Sequence, residues 1–219
     1  MIYKQGVEDP KLSDLYRNKN IWNIRPVTLD GIGSDKVGTG DVTIGTNGVF
    51  TLKTGTTADS SGGLYLDRHI DYPFGFTVAS RLFIQFCISA MAADDLWAKL
   101  FAGGSGAMID TAHQYGFKFI REAGAIKCYA LNADGTTAKT TDITGGMSFT
   151  IIGRRLEAVF TPGVDVKYYI DGVLKATHTQ NLPTRTDPPF NWIIMVKNPG
   201  VASNCQIYLA QIVQIWDWW

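Results

Sequence analysis

The sequence predicts an all-β protein, an antiparallel two-sheet sandwich of the jelly-roll type with an N-terminal arm. Three observations carry that reading. The 219 residues include 23 Gly and 21 Thr but only three Glu: Glu8, Glu122 and Glu157. That balance disfavours helices and suits strands and tight turns. Apolar and aromatic residues come in short runs rather than at helical spacing. Turn pairs punctuate the runs at Asn47-Gly48, Asp134-Gly135 and Asp171-Gly172, where both residues tolerate positive φ. An apolar fraction of 45% is enough to build a core and excludes wholesale disorder. The length suits one large domain, or a domain plus an extension.

The elements follow in order. Residues 1–20 are polar and charged, include Pro10, and have room for a short helix over 11–17. They read as an arm, either frayed or docked on a neighbour. The sandwich is expected over 21–219. Residues 42–44 and 49–53 flank the turn Thr46-Asn47-Gly48 and predict a hairpin. Residues 54–63, rich in Thr, Ser and Gly, predict a loop. Residues 64–66 and the long apolar run 78–91 predict strands, the second of them central. Residues 96–101 predict another, ended by Gly103-Gly104-Ser105-Gly106. Residues 115–120 and 125–131 continue the meander. Over 154–179 the pattern is clearest. Val164, Val166, Tyr168 and Ile170 fall on one face, Asp165, Lys167 and Tyr169 on the other, and Asp171-Gly172 turns the chain. Residues 191–197 and 206–216 close the domain. Short strands at regular spacing with Gly turns mean a sandwich or jelly roll.

The stretch from Phe160 to Thr177 reads Phe-Thr-Pro-Gly-Val-Asp-Val-Lys-Tyr-Tyr-Ile-Asp-Gly-Val-Leu-Lys-Ala-Thr. It resembles the concanavalin A-like lectin/glucanase superfamily, especially its laminin-G-like branch, which carries a hairpin of the form aromatic-x-Asp-Gly-x-x-x-Ala-Thr. The Thr/Ser-rich block 54–60 followed by Leu64-Tyr65-Leu66 is similar to sandwich domains of this superfamily encoded by viruses. The resemblance implies two stacked, curved antiparallel sheets. It implies no particular activity, because this fold hosts enzymes, lectins and structural modules.

Glycosidases of the superfamily carry Glu-x-Asp-x-x-Glu or a close variant on one strand, and a retaining mechanism needs two carboxyls roughly 5 Å apart. None of Glu8, Glu122 and Glu157 has such neighbours, and Asp94-Asp95, on a strand, would point to opposite faces. The chain is therefore expected not to be an enzyme. Gly103-Gly-Ser105-Gly-Ala107 approaches a nucleophile elbow but lacks the helix that must follow. His69, His113 and His178 lack metal-ligand spacing. Gly31-x-Gly33 and Gly38-x-Gly40 stop short of a dinucleotide fingerprint. No cofactor is indicated. Calcium remains open through the loop residues Asp30, Asp35, Asp59, Asp67, Asp71, Asp94 and Asp95, although loop Asp is more often a turn former. Trp97 and Trp192 sit in apolar runs and read as core. Trp22, Tyr169, Trp216, Trp218 and Trp219 are the candidate interface or glycan contacts, since a tail ending Ile215-Trp-Asp-Trp-Trp219 would be a large sticky patch if exposed.

Twenty basic and twenty acidic residues give zero net charge, which argues against a nucleic-acid grip or an anionic-membrane binder. The start has no basic-then-apolar signal pattern, and no apolar run is long enough for a membrane span. Cys87, Cys128 and Cys205 read as buried small hydrophobes rather than disulfide partners. No Asn-x-Ser/Thr sequon occurs. These features together give the expected function: a non-catalytic structural or surface protein of a viral particle, a capsid-decoration or fibre-type subunit assembled in the host cytoplasm. The expected partners are further copies of itself or other virion proteins. The alternatives are a carbohydrate-binding module with a glycan partner and, less favoured, a divergent glycoside hydrolase.

Overall fold

The computed structural model describes residues 19–24, 32–45, 48–67, 75–186 and 190–217. These form β1 (Lys19–Ile24), β2 (Gly33–Val37), β3 (Asp41–Ile44), β4 (Phe50–Lys53), β5 (Ser61–Asp67), β6 (Ser80–Met91), β7 (Trp97–Gly103) and β8 (Gln114–Glu122). The second half adds β9 (Ala125–Ala133), β10 (Ala138–Asp142), β11 (Arg154–Thr161), β12 (Asp165–Ile170), β13 (Val173–His178), β14 (Phe190–Lys197) and β15 (Cys205–Asp217). No helix occurs among the described residues.

Two antiparallel sheets stack face to face. One has eight strands, ordered β13-β12-β11-β6-β15-β4-β3, with β1 also paired to β15; the other has seven, ordered β10-β9-β8-β7-β14-β5-β2. Strand β6 shows why the sheets stack. Its residues Leu82, Ile84 and Phe86 are buried while the alternate Arg81, Phe83 and Gln85 are less so, the period-2 pattern of a sheet with one covered face. From the opposite sheet Leu100, Phe117, Phe119, Trp192 and Ile194 meet them in one continuous core. Rings pair across it, Phe86 on Phe119 at 4.8 Å between centroids and Phe117 on Tyr168 at 5.7 Å. Each such fully buried large side chain contributes roughly 1.5–3 kcal/mol.

The β12–β13 hairpin forms as its sequence predicts. Asp171 and Gly172 both take positive φ, 52° and 81°, the geometry that matches strand twist in a two-residue turn. The Asp171 carboxylate also accepts the Arg155 amide at 2.9 Å and pairs with Arg154 at 2.7 Å, fastening the tip to β11.

Several local expectations change. Residues 61–63 belong to β5, not to the loop. A Cβ on Gly62 would lie 2.6 Å from the Lys53 carbonyl oxygen and 2.7 Å from that of Asp41, so two backbones approach here as only glycine permits. Val164 sits in the turn before β12 and is exposed, whereas Asp165 is largely buried. Trp192 is core, but Trp97 is only partly buried, on the outward face of β7. Cys128 and Cys205 are buried, Cys87 is half-buried on β6, and all three are free thiols. Strands β2 and β10 had not been expected. They are polar sheet edges, Gly-Ser-Asp-Lys-Val and Ala-Lys-Thr-Thr-Asp, mostly exposed, so no apolar alternation marks them. Of the N-terminal segment, β1 pairs residue by residue with β15 from Lys19↔Asp217 to Ile24↔Ile212; the helix expected over 11–17 lies outside the described residues. No helix among the described residues is long and apolar enough to cross a membrane.

Candidate functional site

The outward face of the seven-stranded sheet carries the densest chemistry. Pairing register aligns its side chains in rows. One row runs Tyr65, Ile193, Phe101, Gly116, Leu131; the next runs Gly63, Met195, Lys99, Lys118, Tyr129; a third runs Ser61, Lys197, Trp97, Ile120, Lys127. Large side chains lie flat over glycines of the neighbouring strand. A Cβ on Gly33 would come within 2.2 Å of the Tyr65 ring, one on Gly63 within 3.1 Å of Met195 Cε, and one on Gly116 within 2.9 Å of Phe101 Cδ1. The face is thus paved by its own residues.

The loop of residues 104–113 then straps over this paving. Met108 is buried against Phe101, Leu131, Ile193 and Met195. Lys99, 7% exposed, donates from Nζ to the Met108 carbonyl at 2.6 Å and pairs with Asp110 Oδ1 at 2.6 Å. The other Asp110 oxygen takes Lys118 Nζ at 2.7 Å. The Lys99 ammonium also stands 4.6 Å from the centre of the Trp97 ring, within cation–π range. Gln114 Nε2 donates to the carbonyls of Ile109 at 2.8 Å and Asp110 at 3.1 Å. Burial pulls the Lys99 ammonium below its ordinary range against the opposing pull of Asp110. Burial pushes the Asp110 carboxyl up, but Lys118 and Lys99 outweigh it and hold the group below the usual carboxylate range. A carboxylate held ionised by two ammoniums is a poor proton donor near neutral pH.

A second feature is an open polar trough of about 740 Å³, with Arg121, Lys127, Asp142, Thr144, Gly145 and Gly146 in its walls. The Thr144 amide donates to Asp142 Oδ1 at 2.8 Å and Lys127 lies 3.6 Å from Oδ2. The Thr144 side chain is the largest influence holding the Asp142 carboxyl below its ordinary value, with the Thr144 amide and Lys127 adding to it against the opposing effect of burial. Such a trough offers charged and hydroxyl groups to a polar ligand.

Of the residues singled out by sequence, the described ones fall at two places in the eight-stranded sheet. Tyr169 faces outward on the eight-stranded sheet, opposite Glu157 and Leu174, with Phe83 next along the row. Trp216 lies in register with Asn20 and Ser80, and Trp22 with Gln214, so these two positions are neighbours on paired strands. Three strand spacings, roughly 14 Å, separate β12 from β15 across β11 and β6. Trp218 and Trp219 lie outside the described residues, as do Asp30, Asp71 and His69. Asp59 accepts the Gly200 amide at 2.8 Å and Asp94 that of Gly124 at 3.0 Å, both as loop fasteners. Among the described residues no three His, Cys, Asp or Glu side chains gather as metal ligands would. His178 is buried and bonded to Asn132 and Thr141. Lys99, Asp110 and Lys118 were not anticipated. Alternation in Trp97-x-Lys99-x-Phe101 marks Lys99 as outward, but its partner arrives from a loop that no periodicity locates.

No strand among the described residues carries more than one Asp or Glu. No family model and no curated protein matches the sequence. Solved structures do. A protein of unknown function from Shewanella oneidensis aligns at 13% identity and TM-score 0.63, over 91% of this chain and 87% of that one. A Bacillus licheniformis β-glucanase aligns at 12% identity and TM-score 0.62, over 90% and 97%. The Emp46p carbohydrate recognition domain aligns at 11% identity and TM-score 0.57, over 87% and 90%. The fold is a concanavalin A-like jelly-roll sandwich. It is shared by lectins and glycosidases alike, so activity has to be argued from the side chains.

Proposed function

We propose that this chain is a non-catalytic surface subunit that acts through its binding faces, as a decoration or fibre-type component of a viral particle. The observation that carries the non-catalytic part is the outward face of the seven-stranded sheet. Its central strand β7 presents Trp97, Lys99 and Phe101, and the carboxylate laid over it, Asp110, is held between two lysines. A retaining glycosidase needs two carboxyls roughly 5 Å apart, one of them able to protonate the leaving group; over the centre of this face Asp110 has only lysines as charged partners, while Glu122 and Asp142 stand towards its edge beside Tyr129. The particle setting rests on the polar segment 1–20 and the Trp-rich end of the chain. Its test is genomic: genes for a capsid protein or a terminase beside this one are expected, and a neighbourhood of polysaccharide-degrading enzymes counts against it.

A second reading, carbohydrate binding, is favoured by the trough walled by Arg121, Lys127 and Asp142 and by the fold shared with a carbohydrate recognition domain. The two readings are compatible in one surface protein. A glycan array probed with and without chelator separates them. Sugar-specific signal lost in an Asp142→Ala variant supports the second reading, and a blank array removes it.

A further inference from the structure

Register and one hydrogen bond fix how Tyr129 lies. On the outward face of the seven-stranded sheet, Tyr129 of β9 pairs with Lys118 of β8 and with Asp142 of β10. Its hydroxyl donates to Glu122 Oε2 at 2.9 Å. Glu122 stands four residues along β8 from Lys118, so about 14 Å separates the Cα atoms of Tyr129 and Glu122. The hydrogen bond closes that gap only when both side chains lie down along the sheet. The Tyr129 ring therefore lies flat over the Ile120–Lys127 pair, which fills the row between them. Tyr129 is half-buried, and Glu122 and Asp142 are exposed, so the upper face of the ring is open to solvent.

Hydrogen-bond acceptors flank this open ring. Glu122 stands at its hydroxyl end and Asp142 beside its other end. Asp142 accepts the Thr144 amide at Oδ1 and has Lys127 3.6 Å from Oδ2, yet its side chain is 43% exposed. An ionised carboxylate has about four lone-pair sites, so each of the two keeps acceptor capacity towards solvent. Lys127 and Asp142 also wall the polar trough, which makes ring and trough one continuous surface. Charge narrows the ligand. Lys127 is matched by Asp142 and Lys118 by Asp110, whereas Glu122 has Tyr129 rather than a cation as its partner. An anionic sugar meets an unbalanced carboxylate here, while a neutral one donates its hydroxyls. A flat ring bounded by carboxylates suits a pyranose, whose C–H groups gather on one face and whose hydroxyls project around the rim. The Cα atoms of Glu122 and Asp142 stand four residues along and two strands across, about 16 Å apart. Their carboxyls are thus too far apart to act as a retaining pair.

We propose that Tyr129 is the stacking platform of a subsite for a neutral pyranose, with Glu122 and Asp142 accepting hydrogen bonds from the sugar hydroxyls. A longer chain continues past Lys127 into the trough. This rests on the carbohydrate-binding reading and names the sugar class and the residue that selects it.

Titration of the full chain with laminarihexaose, cellohexaose and mannohexaose, and with hexagalacturonate as the anionic counterpart, tests the proposal. At least one neutral oligosaccharide binds, and hexagalacturonate binds at least about tenfold more weakly. Saturation-transfer NMR supplies a second readout that needs no substitution: irradiating the tyrosine ring protons passes saturation to the C–H protons of the bound sugar. Tyr129→Ala weakens binding at least about tenfold and abolishes the transfer, whereas Tyr129→Phe keeps the transfer and binds more tightly than Tyr129→Ala. Both variants remain folded, because the ring lies on the surface; a melting temperature close to wild type checks this. A preference for hexagalacturonate overturns the proposal and leaves the carbohydrate reading standing. So does sugar binding that is lost in Asp142→Ala but unchanged in Tyr129→Ala, or that shows no transfer from tyrosine. No binding of any of the four overturns the proposal, and a blank glycan array beside it removes the reading too.

Discussion

Removing Asp110 tests how the strap is held. The Asp110→Ala substitution leaves Lys99 with its Met108 carbonyl and the Trp97 ring but no counter-charge, at a side chain only 9% exposed. Removing one member of a buried ion pair costs about 3–5 kcal/mol. Lys118, at 22% side-chain exposure, can turn to solvent, so about 3 kcal/mol is the expected loss, with little of it from Lys118. For a chain of this length that is a fall of roughly 6–12 °C in melting temperature. Lys99→Met removes the charge and keeps the volume, so it should cost about 1 kcal/mol or less and should rescue Asp110→Ala in the double variant. The sign with pH is set by the depressed Asp110 carboxyl. Its stabilisation is fully present above the ordinary value of 3.8 and is lost as pH falls through the lower folded value. Urea unfolding of the three variants near neutral pH decides the matter. The reasoning fails if Asp110→Ala is within about 1 kcal/mol of wild type, or if Lys99→Met is as harmful as Asp110→Ala.

Other outcomes follow from the same geometry. Burial lowers the His178 imidazole to about 4 from 6.5, so its contribution is complete above pH 6.5 and falls away by up to about 3 kcal/mol as the pH drops to 4. Urea titrations at several pH values should show that slope flattened in His178→Gln. Ile151→Gly should raise stability by about 1 kcal/mol, read by chemical denaturation, because it relieves a left-handed β-branched residue. Gly62→Ala should cost at least about 2 kcal/mol by the same measurement, because its Cβ would strike two backbone carbonyls; a neutral effect would mean that β4 and β5 are not so close.

Some parts of this molecule were legible from sequence for clear reasons. Residues 80–88 of β6, the β11 strand and β12 from Val166 onward alternate, and Asp171-Gly172 is a turn whose backbone demand selects its residues, so local chemistry and tertiary structure agree there. Strands β2 and β10 were hidden because an edge strand with solvent on its outer face needs no apolar pattern. Trp97 read as core because composition cannot tell the inner face of a strand from an outer face that a loop covers. The strap was illegible for the same reason. Met108, Asp110 and Lys99 meet through the path of a loop, and only the fold shows that Lys99 and Lys118 sit opposite one another. Tyr169 was correctly placed on the outward face of β12, but its distance from β15 depends on strand order, which periodicity does not encode.

The central claim is that the outward face of the seven-stranded sheet binds or stays closed but does not turn over substrate. The direct measurement is release of reducing ends from a panel of β-glucans by the purified chain, with the Asp110→Asn, Asp142→Asn and Glu122→Gln variants alongside. No release above the rate without protein is expected from any of them. Hydrolysis by the wild type that one of these carboxylate substitutions abolishes would contradict the account.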